Sequence, residues 1–232
     1  MRSLPPSSEP AGQHAAARHS DGAPRRGHAV VLAGPSGVGK GAVIARVRAA
    51  LPDLELSVSV TTRAPRPGER DGVDYRFADP AAFDALRRTE GLLEWEELFG
   101  HHYGTPRAPV ETALQAGRDV LLELDVRGAR QVRERLGSAF LILVAPPTME
   151  ELERRLRRRR TESEEQLARR LARAQEELAA GAHFDAVVVN DELERATAQV
   201  VELLGGLRAG IVKEMGQESS SSCSSSDDAL RS

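Results

Sequence analysis

The chain has 232 residues, a formal net charge of −3 and a single cysteine. This charge argues against a protein that binds nucleic acid by attraction to phosphate, and Cys223 alone provides neither a disulfide framework nor a cysteine metal site. No stretch approaches the roughly 18–20 apolar residues of a membrane span, and the N-terminus has no apolar run of signal-peptide length. We therefore expect a cytoplasmic protein without a membrane or nucleic-acid partner, and the sequence leaves its oligomeric state open.

The two ends of the chain differ in composition from the rest. Residues 1–27 are rich in Ser, Pro, Ala, Gly and Arg, and residues 214–232 contain the serine tract SSSSCSSS. Neither segment has enough apolar side chains to offset the entropy that is lost on ordering. We therefore expect a disordered N-terminal extension at 1–27, a disordered tail at 214–232 and one folded domain at 28–213.

The first predicted element is a strand at Ala29–Ala33, which leads into a glycine-rich loop. The loop reads GPSGVGK over residues 34–40, and a helix is predicted at about 40–50. Strand, glycine loop and helix in this order form a phosphate cradle, because backbone N–H groups and the helix N-terminus face an anion. Lys40, one of two lysines among 32 basic residues, adds a compact positive charge. The predicted nucleoside triphosphate contacts are Gly34, Pro35, Ser36, Gly37, Val38, Gly39, Lys40 and Gly41.

The loop departs from the usual phosphate-loop pattern just after the lysine. A Ser or Thr hydroxyl normally follows and ligates Mg²⁺, whereas this chain has Gly41 and then Ala42. The metal would have to be held by nucleotide phosphates, water and carboxylates further along the chain. The departure bears on metal affinity and turnover, and leaves the prediction of phosphate binding intact.

Residues 57–106 interrupt the alternation of apolar strands and helices. Short alternating segments and turn clusters, such as PRPG at 65–68, predict a small antiparallel insertion beside the main sheet. Within it, Arg63 and Arg66 lie on either side of Pro65, so that their guanidinium groups can converge on one phosphate. Taken alone, the same segment also fits two solvated arginines on a turn.

The rest of the chain returns to apolar strands that alternate with helices. Strands are predicted at 120–124, 140–144 and 186–189, and helices at about 127–136, 148–158, 163–180 and 191–208. Asn190 and Asp191 are candidate caps of the last helix. The alternation predicts an α/β fold in which helices cover both faces of a parallel sheet.

Three further features have more than one reading. The arginine run RRLRRRR at 154–160 fits a solvated helix face, since adjacent glutamates and the lack of interleaved aromatics argue against a nucleic-acid patch. Glu94, beside Trp95, fits a surface acid when it is taken alone. The only tyrosines, Tyr75 and Tyr103, both lie in the insertion, which favours a phosphate contact over a structural use in core strands.

From about Ala29 to Leu207 the chain resembles guanylate kinases. The matching motifs are GPSGVGK, SVSVTTRAPRPGE, GVDYRF, LLEWEELFGHHYGTP, LLELDVRGARQV, APPTMEELERRL, TESEEQLARRLARAQEEL and VVVND. The resemblance implies the reaction ATP + GMP ⇌ ADP + GDP, with Mg²⁺ as cofactor and dGMP as a second acceptor. It also implies a P-loop core at 28–56 and 107–213, a GMP-binding insertion at 57–106 and a helical lid at about 154–171.

The resemblance implies a GMP site that is built from the insertion and from the end of a buried strand. The implied phosphate contacts are Arg63, Arg66, Tyr75 and Tyr103, with Ser59 nearby. Glu123 would lie near the base or its surrounding waters. Asp125 would organise the water bound to Mg²⁺ and the acceptor phosphate, and it is the implied metal residue.

The same resemblance assigns the guanine base to Glu94 and Thr105. Glu94 would accept hydrogen bonds from N1–H and the 2-amino group, while the hydroxyls of Thr105 and Ser59 serve the O6 side. This order of groups complements the donor, donor, acceptor edge of guanine. Adenine would leave the buried carboxylate unpaired, so the site would reject it.

The implied catalytic residues lie on both sides of the phosphoryl group. Arg155, Arg159 and Arg170 match lid arginines that close over it, and they act with Lys40, Arg63 and Asp125. Asn190 matches a residue near the adenine of the donor, although a plain helix cap fits that position equally well.

Two other functions remain open at this point. Guanylate-kinase-like domains exist that bind protein partners without catalysis, and the loss of the hydroxyl after Lys40 keeps that alternative available. The second alternative is a kinase for another phosphorylated acceptor, such as a ribose bisphosphate, against which Glu94, Thr105 and both tyrosines argue.

Overall fold

The computed structural model describes residues 25–98, 100–158 and 163–212. Residues 25–27, which we expected in the disordered extension, pack on the domain. The Gly27 N–H donates to the Leu114 carbonyl at 2.8 Å, and Arg25 forms an ion pair with Asp119. The ordered unit therefore starts slightly before the boundary expected from composition.

The elements alternate between strands and helices along most of the chain. The strands are β1 (Ala29–Ala33), β2 (Glu55–Leu56), β3 (Val60–Thr61), β4 (Arg76–Phe77), β5 (Leu92–Leu98), β6 (His101–Pro106), β7 (Val120–Glu123), β8 (Phe140–Ala145) and β9 (Ala186–Val189). The helices are α1 (Lys40–Ala50), α2 (Pro80–Arg88), α3 (Arg107–Gln115), α4 (Val126–Leu136), α5 (Met149–Arg157), α6 (Glu164–Ala179) and α7 (Leu193–Arg208), with a 3₁₀ turn at Ala180–His183.

The main sheet is parallel throughout, with the strand order β2-β7-β1-β8-β9. In register, Val30 of β1 lies opposite Leu121 of β7 on one side and Phe140 of β8 on the other. All carboxyl ends of parallel strands face the same edge, which is where such sheets bind ligands. The phosphate loop after β1, Asp125 after β7 and Asn190 after β9 follow strands at this edge.

Helices cover both faces of this sheet, as predicted. Val31 and Ala33 of β1 pack in a core with residues of α3 and α4, whereas Val30 and Leu32 pack in a second core with residues of α1 and α7. All five β1 residues are buried, which explains why the strand reads as an unbroken apolar run. The loop that follows β1 therefore starts from a rigid, fully buried support.

The insertion forms its own sheet, with the strand order β4-β3-β6-β5. The β5–β6 and β3–β6 pairs are antiparallel, as predicted, and β3 pairs with β4 in parallel. Its apolar cluster is small and centres on Val60, Phe83 and Leu92. Strand β2 and helices α2 and α3 were not predicted from the sequence. Helix α2 nevertheless has a typical start, with Pro80 as its first residue and the Asp79 side chain accepting the Ala82 N–H at 2.9 Å.

Helices α5 and α6 form a separate pair that is connected by residues 158–163, of which 159–162 lie outside the described residues. Leu152 and Leu156 of α5 pack against Leu167 and Ala174 of α6. Ser163 caps α6 with a complete capping box, because the Gln166 side chain accepts the Ser163 N–H at 3.0 Å. The predicted lid, at about 154–171, spans the end of α5 and the first half of α6, and its role stays a prediction.

The prediction that Asn190 and Asp191 cap the last helix is wrong. Helix α7 starts at Leu193, and Glu192 occupies the cap position without a side-chain hydrogen bond to the helix. The Asn190 amide donates elsewhere, to the Val38 carbonyl. Among the described residues, no helix is both long and apolar enough to cross a membrane.

Candidate active site

The glycine loop after β1 has a backbone that only glycine tolerates at two key positions. Gly34 has φ 147°, and a Cβ there would lie 2.3 Å from the Val144 carbonyl oxygen. Gly39 has φ 98°, and its Cβ would lie 2.6 Å from the Asn190 side-chain nitrogen. The loop is thus shaped by close approach to its neighbours as well as by left-handed backbone angles.

Lys40 is the first residue of α1, and its ammonium group lies across the loop. Its Nζ donates to the Gly34 carbonyl oxygen at 2.6 Å. Burial lowers the pKa of Lys40, and the negative charges of Glu123, Glu177 and Asp125 act in the opposite direction. A partly desolvated cation next to backbone N–H groups is suited to the terminal phosphates of a nucleotide.

Two polar side chains hold the loop from outside. Asn190 is buried, and its Nδ2 donates to the Val38 carbonyl oxygen at 2.7 Å. The Arg155 guanidinium donates to the same oxygen at 3.2 Å and to the Asn190 carbonyl oxygen at 3.0 Å. In this structure both residues support the phosphate loop, and their contacts with ATP stay predictions.

The remaining lid arginines differ in what the structure describes. Arg170 of α6 reaches the loop, where its Nη1 donates to the Ser36 hydroxyl at 3.4 Å. Arg159 lies outside the described residues. Helix α6 therefore already contacts the phosphate loop through at least one predicted lid residue.

Arg63 of the insertion is held in a fixed orientation. Its two terminal nitrogens donate to the two carboxylate oxygens of Glu69 at 3.0 and 2.9 Å. Its guanidinium carbon lies 5.4 Å from the centroid of the Tyr75 ring. The Arg63 Nε is buried and, among the described residues, has no hydrogen-bond partner. A buried donor of this kind fits an anionic ligand that approaches from the same side.

The other predicted phosphate contacts surround Arg63. The Tyr75 and Tyr103 rings lie edge to face with centroids 6.1 Å apart, and burial raises the pKa of Tyr75, so that its hydroxyl keeps its proton. Ser59 lies next to β3 and is half-buried. Arg66 is exposed on the turn, and its backbone N–H donates to Glu69 at 2.7 Å. The structure thus brings the two tyrosines to Arg63 and leaves the Arg66 side chain at the rim.

The predicted base pocket consists of a buried acid and a buried hydroxyl. The Thr105 hydroxyl donates to the Glu94 carboxylate at 2.7 Å, across the β5–β6 pair. Burial raises the pKa of Glu94 to about 7, against the hydrogen bond from Thr105, which lowers it. A Cβ at Gly128 would lie 3.2 Å from the second Glu94 oxygen, so glycine leaves room for this carboxylate.

Asp125 lies between the base pocket and the phosphate loop, at the start of α4. Its Oδ1 accepts the Gly128 N–H at 2.7 Å, and its Oδ2 accepts a hydrogen bond from Arg173 of α6. Glu123 is exposed at the end of β7, and its charge acts on both Lys40 and Tyr75. These two acids therefore lie between the residues predicted for the donor and those predicted for the acceptor.

The site fits a magnesium ion that receives few ligands from the protein. No group of three or more acidic, histidine or cysteine side chains among the described residues is arranged to hold a metal. Mg²⁺ in nucleotide sites keeps several waters and binds one or two carboxylates together with substrate phosphates. Asp125, next to the phosphate loop, satisfies that requirement without a hydroxyl at Gly41.

Three residues with clear roles in the site were missed in the sequence analysis. Glu69 orients Arg63, Glu96 of β5 lies next to Asp125, and Arg173 contacts Asp125. Burial and the Asp125 charge raise the pKa of Glu96 to about 7. Glu69 could have been found from its position three residues after Arg66. The Glu96–Arg173 contact joins segments that are far apart in the sequence, so no local sequence pattern indicates it.

Comparisons with known proteins point to one family. A family model described as guanylate kinase matches residues 26–206. The chain is 55% identical over 179 residues to a protein named guanylate kinase from Parasynechococcus marenigrum (strain WH8102), covering 77% of this chain and 98% of the relative. A guanylate kinase from Nocardia farcinica (strain IFM 10152) is 54% identical over 181 residues, covering 77% and 94%. The fold is similar to a crystal structure of guanylate kinase from Anaplasma phagocytophilum, with a TM-score of 0.65, 31% identity and coverage of 83% and 92%.

Proposed function

Since the chain belongs to the guanylate kinase family and is a phosphotransferase acting on GMP, we propose which of its residues bind and align the two nucleotides. The observation that carries the proposal is the buried Glu94–Thr105 pair, which lies near enough to the phosphate loop that the Asp125 charge acts on both Glu94 and Lys40. The matches give no support to a binding module without catalysis. A cytosolic location remains an expectation from the sequence.

The donor ATP is bound by the loop between β1 and α1. The backbone N–H groups of residues 34–41 surround the β- and γ-phosphates, and Lys40 exchanges the Gly34 carbonyl for phosphate oxygens. Asn190 and Arg155 keep the loop open by holding the Val38 carbonyl from outside. Arg170, which already reaches Ser36, closes over the γ-phosphate from α6.

The guanine of GMP is selected by Glu94 and Thr105. The ionised Glu94 carboxylate accepts hydrogen bonds from N1–H and the 2-amino group, and the Thr105 hydroxyl faces the O6 side. Adenine offers no matching pair of donors and would leave a carboxylate buried without partners, which costs several kcal/mol. We include dGMP among the acceptors, because the residues assigned here bind the base and the phosphate and none is assigned to the sugar.

The acceptor phosphate is held by Arg63, Arg66, Tyr75 and Tyr103. Glu69 fixes the Arg63 guanidinium before the nucleotide arrives, which reduces the entropy lost on binding. The unpaired Arg63 Nε is one donor for this phosphate. The exposed Arg66 completes the site from the rim of the turn.

Transfer then requires alignment and charge neutralisation more than covalent chemistry. Asp125 would hold Mg²⁺ through water, and the ion when bound neutralises phosphate charge. Lys40 and the lid arginines spread the charge of the moving group, and Arg63 keeps the acceptor oxygen in line. No general base is needed because the attacking phosphate oxygen is already ionised. Closure of lid and insertion excludes water from the transferring group.

A coupled assay of ADP release tests this proposal directly. With ATP and Mg²⁺, we expect turnover with GMP and dGMP, and at least ~100-fold lower kcat/KM with AMP or UMP, since a buried polar site rejects mismatched partners strongly. A ribose bisphosphate in the same assay covers the alternative acceptor. Equal rates with GMP and AMP, or no heat in a calorimetric titration with GMP, would overturn the assignment of Glu94 and Thr105.

A further inference from the structure

Arg173 of α6 links the predicted lid to a group of carboxylates near the phosphate loop. Its guanidinium donates to Asp125 Oδ2 at 2.5 Å and to Glu177 at 2.7 Å, and it lies 3.9 Å from Glu96. One cation therefore contacts three carboxylates from α4, α6 and β5. None of the roles inferred from the sequence requires an arginine at this position.

The surrounding charges make this cation important for binding. A fourth acid, Glu123 at the end of β7, lies near the three carboxylates that Arg173 contacts. The negative charges of Asp125, Glu177 and Glu123 all act on Lys40. Arg173 also acts on Lys40, with the opposite sign. Both nucleotides bring several negative charges to this place. Arg173 contacts three of these acids directly, whereas Lys40, Arg63 and Arg170 are assigned to the nucleotide phosphates.

We propose that Arg173 is a positioning residue that neutralises the Glu96–Asp125–Glu177 carboxylates and so permits the acceptor nucleotide to bind beside them. This inference rests on the proposed GMP site and deepens it. Arg173 acts through these acids, while Asp125 keeps its orientation through the Gly128 N–H at 2.7 Å. The effect of Arg173 should therefore appear in the binding of GMP more than in kcat.

The test compares Arg173→Gln with the intact chain by calorimetric titration of GMP and by steady-state kinetics. At low salt we expect the Kd of GMP to rise about tenfold. The loss of one positive charge leaves a carboxylate uncompensated, and this carboxylate repels the dianionic phosphate of GMP at close range. In about 0.5 M salt the difference should shrink to roughly threefold, because mobile ions screen a partly exposed charge. We expect kcat to change by less than about threefold, since the Gly128 contact is retained.

Three variants separate charge from structure. Arg173→Lys keeps the charge and should stay within about threefold of the intact chain. Adding Glu177→Gln to Arg173→Gln removes one of the uncompensated acids that Arg173 contacts, and should recover most of the lost GMP affinity. Arg169→Gln is the matched control on the same helix, where Arg169 pairs with Glu165 at 2.5 Å in an exposed position, and it should leave the Kd unchanged.

The outcomes distinguish this inference from the function on which it rests. If the intact chain binds and phosphorylates GMP but Arg173→Gln binds it equally well at low salt, the role of Arg173 is overturned and the function stands. A loss of affinity that neither salt nor Glu177→Gln reduces would likewise overturn it, since only charge neutralisation predicts that recovery. If Arg173→Gln does not fold, the Arg173→Lys variant and the double variant decide between the same results.

Discussion

The donor loop and the acceptor insertion are held in place by different means. The loop follows β1, whose five residues are all buried, and its carbonyl groups are held by Asn190, Arg155 and Lys40. The insertion has a small apolar cluster around Phe83, and its binding side chains are oriented by ion pairs and hydrogen bonds. We therefore expect donor binding to depend on backbone geometry and one lysine, and acceptor choice to depend on side chains. Substitutions in the two regions should differ in which substrate they affect.

Removal of the Lys40 charge should have the largest effect. We expect Lys40→Met to lower kcat by about 10³-fold, because a preorganised charge at the transferring phosphoryl group is lost. Stopped-flow or coupled measurement of ADP release at saturating GMP gives this value. Arg46→Met is a suitable control, since Arg46 lies on the same helix and its pair with Glu194 is exposed. Retention of more than a tenth of the normal kcat would contradict the role of Lys40.

Loss of Arg66 should affect the acceptor side alone. We expect Arg66→Ala to lower kcat/KM for GMP by at least ~100-fold, because two charged hydrogen bonds to phosphate are worth roughly 1.5–3 kcal/mol each. The KM for ATP should stay nearly constant, in contrast to a defect of the donor loop. Arg70→Ala, on the same exposed turn, provides the comparison. An unchanged kcat/KM would remove Arg66 from the phosphate site and leave it as a solvated arginine.

Glu94→Gln should lower the preference for GMP over AMP by about tenfold, since the amide keeps one acceptor but loses the charge and the second acceptor. The ratio of kcat/KM for GMP to that for AMP measures this change. In the intact chain the KM for GMP should rise as the pH falls below about 7, because the proton held by Glu94 must leave before guanine binds. The variant should lose this part of the pH dependence. A ratio equal to that of the intact chain would contradict the base pocket.

The same substitution should stabilise the empty protein. The pKa of Glu94 is about 7 in the folded chain and near 4.5 when unfolded, so the folded state binds more protons between these values. Stability therefore falls as the pH rises from about 4.5 to about 7. We expect Glu94→Gln to raise Tm by about 5 °C at pH 8, and by much less at pH 5, in a calorimetric scan. A gain that is equal at both pH values would contradict burial of an ionised carboxylate.

The sequence predicted the parallel core better than the insertion, for physical reasons. Buried strands such as β1 and β8 read as unbroken apolar runs, and the helices between them have clear periodicity, so their bounds were placed within two residues. In the insertion, β3 and β4 have two residues each, which is too short for a readable alternation of apolar and polar side chains. Strand β3 pairs with β4 and with β6, and these pairings join segments that are far apart in the sequence, so no local pattern encodes them.

The prediction of site residues likewise differed between residues with a local sequence pattern and residues that depend on distant contacts. The phosphate loop was found from its glycines and Lys40 because a backbone cradle has a local signature. Glu94 and Thr105 were found only through resemblance, since a single acid on a strand has many ordinary uses. Arg173 was missed because its contacts with Asp125 and Glu96 depend on how α6 packs over the cleft. Of the two readings of Asn190, the helix cap is wrong, and the contact with the donor stays a prediction for a residue that supports the phosphate loop.

The smallest expected effect concerns Gly41, and it tests whether the donor loop binds Mg²⁺ less well because it lacks a hydroxyl at this position. A Cβ at Gly41 would meet nothing within 4 Å, so a serine fits without displacement. We expect Gly41→Ser to lower the Mg²⁺ concentration for half-maximal activity by about threefold, because a hydroxyl after the lysine is a metal ligand in phosphate loops. Gly41→Ala is the matched control, since both variants gain roughly 0.5–1 kcal/mol of helix stability over glycine. Equal Mg²⁺ dependence in the two variants would show that Asp125, water and the phosphates already satisfy the ion, so that the donor loop needs no hydroxyl at this position.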